Sequence, residues 1–425
     1  MAEVGERVSI SVEGPAGTTS HVGTILPPAK EGFLTLKLDN GYNVSHPNSM
    51  IIEIESLSKS QIAEPELNSI EQDPSLPLVT IIHTGGTIAS KIDYNTGAVV
   101  ARFEPEELLS GLPELASIAR IEAVKISNMW SDDIRPNHWN QIAGAIEEAF
   151  DSGSIGVVVT HGTDTMGISA SAMAFAFSDG LAGPVVFTGS QRSSDRGSSD
   201  AAENLISAVY WAANEHASAE SVTCMRASNN DGTCAIIQGV TARKMHSTRR
   251  DAFQAVNSKP IALVHTGPSY ELLSNQKTRS PSSAHEFDCS IKIAQFIAGP
   301  HLHADLIRSA EQCGYSAILI LGTGLGHLPV EDSNGNAPQN SELHDAIKEC
   351  TIPIVVGTQC IHGVVDMNVY SKGRMQQDIG VLGHGTSSSP ETLMVKIHWA
   401  LSRGFDLGEV LAENIVGESC TTLDQ

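Results

Sequence analysis

Ile155-Gly-Val-Val-Val-Thr-His-Gly-Thr-Asp-Thr-Met166 is the stretch from which the fold can be predicted. Its β-branched run, residues 157–159, has no polar break, which is typical of a strand buried on both faces of a sheet. Small polar residues follow, and residues 168–177, rich in Ala, Ser and Met, are predicted to form a helix. Because ligands of open parallel sheets bind where such strands end, we expect Thr163 and Asp164 to stand in an active site.

The same change from an apolar run to Gly and Thr recurs along the chain. Helical patterns lie between these runs, at residues 137–150, 200–216 and 304–313. Strands that alternate with helices predict an α/β protein with mostly parallel sheets, so these loops should gather at one edge. The apolar runs are residues 78–82, 184–187, 317–321 and 352–356.

Changes in composition suggest how the chain is divided. Residues 1–56 alternate apolar and polar side chains around an Asn40-Gly41 hairpin signal, which predicts a small all-β, barrel-like module. We expect an accessory domain there, with a docking surface for a partner as the alternative. The remaining predicted parts are a linker (57–77), a first α/β lobe with the active site (78–267), an inter-lobe link (268–289) and a second α/β lobe (290–425).

Charge and composition exclude several classes of function. The chain has 425 residues and a formal net charge of −23, which should repel nucleic acid, so a role with nucleic acid would need a basic partner or a local basic patch. We find neither a signal-peptide pattern nor an apolar run long enough to span a bilayer. The 7 Cys are scattered without a C-x-x-C pair, which indicates reduced thiols in a cytoplasm and no metal site.

Glycine-rich segments do not fit the common nucleotide-binding patterns. Gly322-Thr-Gly-Leu-Gly326 has its third glycine one residue too early for a dinucleotide fingerprint, and Pro329 follows closely. The chain also lacks a phosphate-binding G-x-x-x-x-G-K-[ST] loop and a G-x-S-x-G nucleophile elbow. A tight turn at a strand end is therefore the expected role of this segment.

Two threonines stand at predicted strand ends beside glycine. Either Thr84 or Thr163 alone would more often bond to backbone than react, because a hydroxyl needs a nearby base to be a nucleophile. Together with Asp164 and a lysine, they could form an amide-cleaving site in which backbone N–H groups of the glycine turns stabilise the oxyanion.

These segments resemble a known family. Thr84-Gly-Gly-Thr-Ile88 and His161-Gly-Thr-Asp-Thr165 are similar to the two signatures of bacterial-type L-asparaginases, and the resemblance extends over residues 78–425. The N-terminal module and the runs 127–132, 191–200, 359–363 and 367–370 resemble one branch more closely, the D subunits of archaeal glutamyl-tRNA(Gln) amidotransferases.

The resemblance implies a two-lobed asparaginase-like fold and a glutaminase activity. It assigns the nucleophile to Thr84 and the binding of the amino-acid end of glutamine to Ser131 and Asp132. Ordinary asparaginases have Gly-Ser-Gln-Asp where this chain has Trp130-Ser-Asp-Asp133, so the amide preference can differ. The second catalytic group would consist of Thr163, Asp164 and Lys244.

The role of Lys244 stays open at the level of sequence. A neutral lysine could act as a base, which burial favours, whereas a charged lysine would act as a fixed cation in a hydrogen-bonded relay. Without the resemblance, Lys244 beside Arg243 would be interpreted as part of a solvated basic cluster. Residues 88–102 are the predicted lid of the site.

Partners and cofactors follow from the resemblance alone. The chain should need no cofactor, while a tRNA-binding partner, the E subunit, would bind ATP and Mg²⁺ and convert Glu-tRNA(Gln) to Gln-tRNA(Gln). A homodimer within a cytoplasmic heterotetramer is expected. The alternatives are a free-standing L-asparaginase with an extra N-terminal module and a non-enzymatic amino-acid sensor of the same fold.

Overall fold

A computed structural model gives the positions of most of the chain. The residues that it describes are 3–14, 17–28, 30–39, 42–59, 72–86, 90–92, 99–101, 108–109, 111–193, 198–266 and 269–419. The predicted Asn40-Gly41 turn and most of the predicted lid lie outside these ranges.

The N-terminal module is an antiparallel sheet, which confirms the all-β prediction. Its strand order is β4-β3-β2-β1-β5, and alternate side chains of β1, with Ile25 and Leu36, form a small core of its own. Strand β5 continues to pair with β1 as far as Lys59, past the predicted boundary at residue 56, because backbone pairing needs no apolar side chains. The strands are β1 (Glu6–Gly14), β2 (Gly17–Leu26), β3 (Phe33–Leu38), β4 (Asn43–Pro47) and β5 (Ile51–Lys59).

The first α/β lobe is built on a large mixed sheet with helices against it. Its strands are β6 (Leu78–Gly85), β7 (Ser90–Ile92), β8 (Val99–Ala101), β9 (Arg120–Met129), β10 (Gly156–Thr160), β11 (Val185–Thr188), β12 (Ser221–Arg226), β13 (Thr233–Gln238), β14 (Ala242–Lys244), β15 (Phe253–Ala255), β16 (Ala262–His265) and β17 (Ser269–Leu272). Its helices are α1 (Pro136–Asp151), α2 (Met166–Ala176) and α3 (Ala201–Ala212).

Strand order in the large sheet is β17-β16-β13-β12-β11-β10-β6-β9. The strands from β9 to β12 are parallel, as predicted, and β12, β13, β16 and β17 continue the sheet as antiparallel neighbours. Because β17 pairs with β16, the sheet of the first lobe extends past the predicted boundary at residue 267. Strand β10 is buried along its whole length, as its unbroken apolar run indicates.

The second lobe has a smaller, all-parallel sheet with strand order β18-β19-β20-β21. Its strands are β18 (Ile293–Ile297), β19 (Ala317–Gly322), β20 (Ile354–Thr358) and β21 (Val381–Leu382). Its helices are α4 (Ala304–Gln312), α5 (Pro338–Glu349), α6 (Ser371–Asp378), α7 (Pro390–Ser402) and α8 (Leu407–Val410).

Helix α7 joins the two lobes into one core. It packs against α2 of the first lobe, with the rings of Phe175 and Trp399 5.4 Å apart. Because most of its residues are buried, α7 lacks the broad polar face that marks an amphipathic helix, and sequence patterns did not predict it. A helix shared by two lobes can be recognised only once both lobes are in place.

Several hydrogen bonds fix the inter-lobe link to the first lobe, and one arginine makes three of them. Arg279 donates to the carbonyls of Ile155, Ala182 and Asn214. The lobes are therefore held together by buried apolar surface and by hydrogen bonds to backbone.

A buried ion pair fixes the segment that follows α8. Lys396 of α7 lies 2.6 Å from Glu418, and both side chains are buried. Lys396 also donates to the carbonyl of Leu411, and Glu418 accepts from the backbone N–H of Val416. The two charges are thus paired and hydrogen-bonded, as a buried pair requires.

Removal of one member of this pair should destabilise the fold strongly. In Glu418→Ala the Lys396 ammonium stays buried without its counter-ion, and we expect the free energy of unfolding in urea to fall by about 3–5 kcal/mol. The double variant Lys396→Met, Glu418→Leu should recover most of this loss, because no charge is left buried. A Glu418→Ala variant as stable as the wild type would contradict this role.

Candidate active site

Two adjacent parallel strands bring the asparaginase-like signatures to the same edge of the large sheet. Strand β6 pairs with β10 so that His83 lies opposite Thr160. The first signature continues β6 at Thr84, and the second continues β10 at His161. Both polar segments therefore leave the sheet side by side, where ligands of α/β proteins bind.

Two glycines allow these segments to approach closely. Gly85 and Gly86 have φ values of 141° and 86°, which side chains other than glycine rarely adopt. A Cβ atom on Gly86 would lie 2.9 Å from the backbone N of Gly162, and one on Gly85 would overlap the carbonyl oxygen of Met129. The two signatures are thus in direct backbone contact.

Lys244 completes a compact polar group at this edge. Its Nζ atom lies 2.9 Å from Oγ1 of Thr163 and 2.8 Å from Oδ1 of Asp164. The side chain of Lys244 is 14% exposed and that of Asp164 is 65% exposed, so the group is open to solvent on the aspartate side. A hydroxyl, an amine and a carboxylate that are joined by successive hydrogen bonds have the geometry of an activated nucleophile or a proton relay.

Thr84 is placed differently from Thr163. Both side chains are buried, Thr84 at 2% and Thr163 at 8% exposure, but the hydroxyl of Thr84 donates to the carbonyl of Thr160 at 3.0 Å. The carbonyl of Thr84 in turn accepts from the hydroxyl of Ser127 at 2.6 Å. In this arrangement Thr84 ties β6 to its two neighbouring strands. The other hydroxyl of the same signature, Thr87, lies outside the described residues.

The predicted substrate-binding residues lie beside the second signature. Ser131 begins a short 3-10 turn, Ser131–Asp133, and its carbonyl accepts from the hydroxyl of Thr165 at 2.7 Å. A Cβ atom on Gly162 would lie 2.9 Å from Oγ of Ser131, so this turn packs directly on the signature. Asp132 is exposed and lines a cleft of about 530 Å³ between the lobes.

Trp130 precedes this turn and is 78% exposed. Most tryptophan side chains are largely buried, so this position at the rim of the site is unusual. In the sequence, Trp130 is both a departure from the asparaginase pattern and part of the run 127–132 that resembles the D-subunit branch.

Two histidines at the strand ends are buried and structural. Burial, helped by the charge of Lys125, lowers the pKa of His83 to about 4, and burial lowers the pKa of His161 to about 4. His161 also contacts the Gly162 carbonyl and the Ser169 hydroxyl, at 2.6 and 2.9 Å. Both imidazoles are therefore neutral at pH 7 and hold the loops in place.

The sheet edge thus brings together Thr163, Asp164 and Lys244, with Ser131 packed against the same loop. It does not present the hydroxyl of Thr84 to this group. The loop after residues 184–187 was predicted to lie at this edge, but no role was predicted for Gly189, at which a Cβ atom would lie 2.9 Å from Cγ2 of Thr163. Its position after β11, beside β10, was the available signal. The catalytic and binding roles of the named residues stay predictions.

Comparison with known proteins identifies the family. Residues 78–277 match the family model "Asparaginase, N-terminal", and residues 292–412 match "Glutaminase/Asparaginase C-terminal domain". The D subunit of the glutamyl-tRNA(Gln) amidotransferase of Pyrococcus abyssi is 40% identical over 98% of this chain and 94% of its own length. The corresponding D subunit of Methanothermobacter thermautotrophicus is 39% identical over the same shares of the two chains. This chain belongs to the family of glutamyl-tRNA(Gln) amidotransferase D subunits.

Solved structures of asparaginases superpose on a smaller fraction of this chain than the D subunits align with. The thermostable L-asparaginase of Thermococcus kodakarensis superposes with a TM-score of 0.69 at 28% identity, over 81% of this chain and 100% of its own. L-asparaginase I of Vibrio cholerae gives a TM-score of 0.67 at 28% identity. The fold is therefore asparaginase-like, and the greater coverage by the D-subunit relatives favours that family over a free-standing asparaginase.

Membrane-spanning helices and metal-binding clusters were sought among the described residues. Among them, no helix combines the length and apolar character needed to cross a membrane. Within the same ranges, no cluster of three or more His, Cys, Asp or Glu side chains is arranged to hold a metal ion.

The buried state of His161 predicts a pH dependence of stability. Since its folded pKa, about 4, lies below the ordinary value of 6.5, its contribution is complete above pH 6.5 and is lost as the pH falls towards 4. We expect His161→Gln to reduce the slope of unfolding free energy against pH in this window by up to about 1.4 kcal/mol per unit. Urea unfolding between pH 4 and 7 measures this slope, with the exposed His362→Gln as control. Equal slopes in wild type and His161→Gln would contradict the prediction.

Proposed function

We propose that this chain is the glutaminase subunit of a tRNA-dependent amidotransferase. It would hydrolyse glutamine to glutamate and ammonia, and a partner subunit would use the ammonia and ATP to convert Glu-tRNA(Gln) to Gln-tRNA(Gln). The observation that carries the proposal is the contact of Lys244 Nζ with both Thr163 and Asp164 at the sheet edge. Membership of the D-subunit family supports the choice of pathway.

The chemistry needs one hydroxyl nucleophile and one group that moves protons. The hydroxyl attacks the carboxamide carbon of glutamine, a C–O bond forms, and the C–N bond breaks as the departing nitrogen takes up a proton. Water then cleaves the resulting ester and releases glutamate and the free hydroxyl. Thr163, Lys244 and Asp164 lie in hydrogen-bond sequence and can relay these protons.

The burial of Thr84 bears on which hydroxyl attacks. Its proton is donated to the carbonyl of Thr160, and the side chain is almost fully enclosed. A nucleophile has to reach the substrate carbon at about 3–3.5 Å. We therefore assign Thr84 a structural role and assign the attack to Thr87, the other hydroxyl of the signature, with Thr163 in the proton-relay group.

Three valine variants separate these roles. Thr87→Val and Thr163→Val should each lower ammonia release from glutamine by at least about 100-fold, because each removes a reacting hydroxyl. Thr84→Val should lose about 1 kcal/mol of stability and keep most of its activity. Initial rates of ammonia release and thermal unfolding midpoints are the measurements.

Thr188→Val is the matched control for the structural role. Thr188 also ends a buried strand and donates to a backbone carbonyl, that of Cys224, at 2.9 Å. If Thr84→Val loses its activity while it folds as well as Thr188→Val, then Thr84 is the nucleophile that the family resemblance implies. Undiminished turnover in Thr163→Val would remove the proposed relay.

The recognition of glutamine would involve the turn beside the second signature. The exposed Asp132 presents a carboxylate that suits the ammonium of an amino acid, and the hydroxyl of Ser131, a side chain that is only 4% exposed, would suit its carboxylate. The site would not need a cofactor, and ATP with Mg²⁺ would be bound by the E subunit. The net charge of −23 suits a cytoplasmic subunit that leaves most tRNA contacts to that partner, in a heterotetramer built on a homodimer of this chain.

Coupling to the partner predicts a conditional activity. We expect the purified chain to release ammonia slowly from glutamine, and faster once the E subunit and Glu-tRNA(Gln) are added. Ammonia release with glutamine and with asparagine, with and without these additions, measures both specificity and coupling. Equal rates under all conditions would contradict coupling, and a preference for asparagine would favour a free-standing asparaginase.

A further inference from the structure

The strand that carries Lys244 belongs to a two-stranded ribbon that is part of neither the large sheet of the first lobe nor the smaller sheet of the second lobe. In this ribbon β14 pairs with β15, and Lys244 lies opposite Phe253. The pairing extends one step further through Val256, whose N–H donates to the carbonyl of Thr241 at 2.8 Å. Because an isolated two-stranded ribbon is at best marginally stable, contacts outside it must fix the position of Lys244.

Asn257 follows this ribbon directly and has a rare backbone conformation. Its φ is 54°, the only positive value of a residue other than glycine within the described parts of the chain. Asparagine tolerates this left-handed region better than most residues, yet the conformation is retained only where surrounding contacts impose it. Asn257 is 8% exposed, so its polar side chain has to be satisfied inside the protein.

Backbone groups of the second lobe satisfy that side chain. Its Nδ2 donates to the carbonyl of Gly363 at 2.9 Å and to that of Ser387 at 2.7 Å. Its Oδ1 accepts from the N–H of Gly363 at 3.0 Å. One amide therefore joins the end of the ribbon to two separate segments of the second lobe, each more than 100 residues further along the chain.

The second lobe also holds the other strand of the ribbon, β14. The hydroxyl of Thr392, in the first turn of α7, donates to the carbonyl of Val240 at 2.8 Å. Arg243, adjacent to Lys244, forms an ion pair with Glu391 at 3.1 Å. Both strands of the ribbon are thus attached to the second lobe near the end where Ala242 pairs with Ala255, and Lys244, two residues further along β14, reaches into the first lobe's site.

We propose that Asn257 is a positioning residue that clamps the Lys244 ribbon to the second lobe. The inference rests on the proposed function, since it gives Lys244 a catalytic task. The clamp holds Nζ of Lys244 within hydrogen-bond distance of Thr163 and Asp164, and it acts through the hydrogen bonds of Asn257 to Gly363 and Ser387. A displacement of about 1 Å in such a group can lower a rate by about 100-fold.

Asn257→Gly is the sharpest variant because glycine adopts a positive φ without strain. The backbone conformation can therefore persist while the three side-chain hydrogen bonds are lost. Asn140→Ala is the matched control. Asn140, on α1, also exchanges two hydrogen bonds with a distant backbone, that of Phe287, each at 2.9 Å, but it does not contact the ribbon.

Two measurements are made on the full complex with its partner subunit and Glu-tRNA(Gln). The first is steady-state ammonia release from glutamine, and the second is hydrogen–deuterium exchange of the ribbon amides, residues 241–257. In Asn257→Gly we expect kcat to fall about 10- to 100-fold, KM to change less than about twofold, and ribbon amides to exchange faster. Asn140→Ala should lose comparable stability with wild-type kcat and wild-type ribbon exchange.

The outcomes distinguish this inference from the proposed function. If Asn257→Gly keeps kcat within about twofold of the wild type, or if its ribbon exchanges as slowly, the clamp is refuted. Equal losses of kcat in Asn257→Gly and Asn140→Ala would also refute it, because the effect would then be general destabilisation. If the wild type releases no ammonia from glutamine, the proposed function and the catalytic purpose of the clamp fail together, whatever the exchange data show about the ribbon.

Discussion

The parallel pairing of β6 with β10 is the constraint on which the rest of the site depends. The carboxyl ends of parallel strands lie at the same edge of the sheet. Two polar segments that are far apart in sequence therefore lie side by side as soon as these strands pair. Close contact between them then requires glycine, since a Cβ atom on Gly86 would overlap the backbone at Gly162. Thr163, Asp164 and the turn at Ser131 follow neighbouring strands of the large sheet, whereas Lys244 comes from the separate β14–β15 ribbon.

Much of this arrangement could be predicted from the sequence because it follows from strand patterns. The unbroken β-branched run before Thr160 indicates a buried parallel strand, and the polar residues after it had to lie at the sheet edge. The edges of the elements were less predictable. Strands β5 and β17 extend past the predicted boundaries because their pairing depends on backbone hydrogen bonds, which leave little trace in side-chain composition.

The hydrogen-bond partners of the two threonines could not be predicted from the sequence pattern either. Thr84 and Thr163 both follow a strand and both stand beside glycine, yet one hydroxyl is donated to a backbone carbonyl and the other contacts Lys244. The basic pair shows the same effect, because neighbours on a strand point to opposite faces. Arg243 pairs with Glu391 of the second lobe while Lys244 faces the site, although in sequence they form one basic cluster.

The exposure of Asp164 connects the site to the needs of an amidotransferase. Its carboxylate is 65% exposed, so the Lys244–Asp164 contact is screened by water and is weaker than the same contact in an enclosed site. Charge stabilisation in amide cleavage depends on the exclusion of water, and ammonia that escapes into water at neutral pH is protonated and stops being a nucleophile. Closure over this group would therefore strengthen the relay and retain the product at the same time. A site left open until its partner and charged tRNA are bound would thereby couple glutamine cleavage to the demand for ammonia.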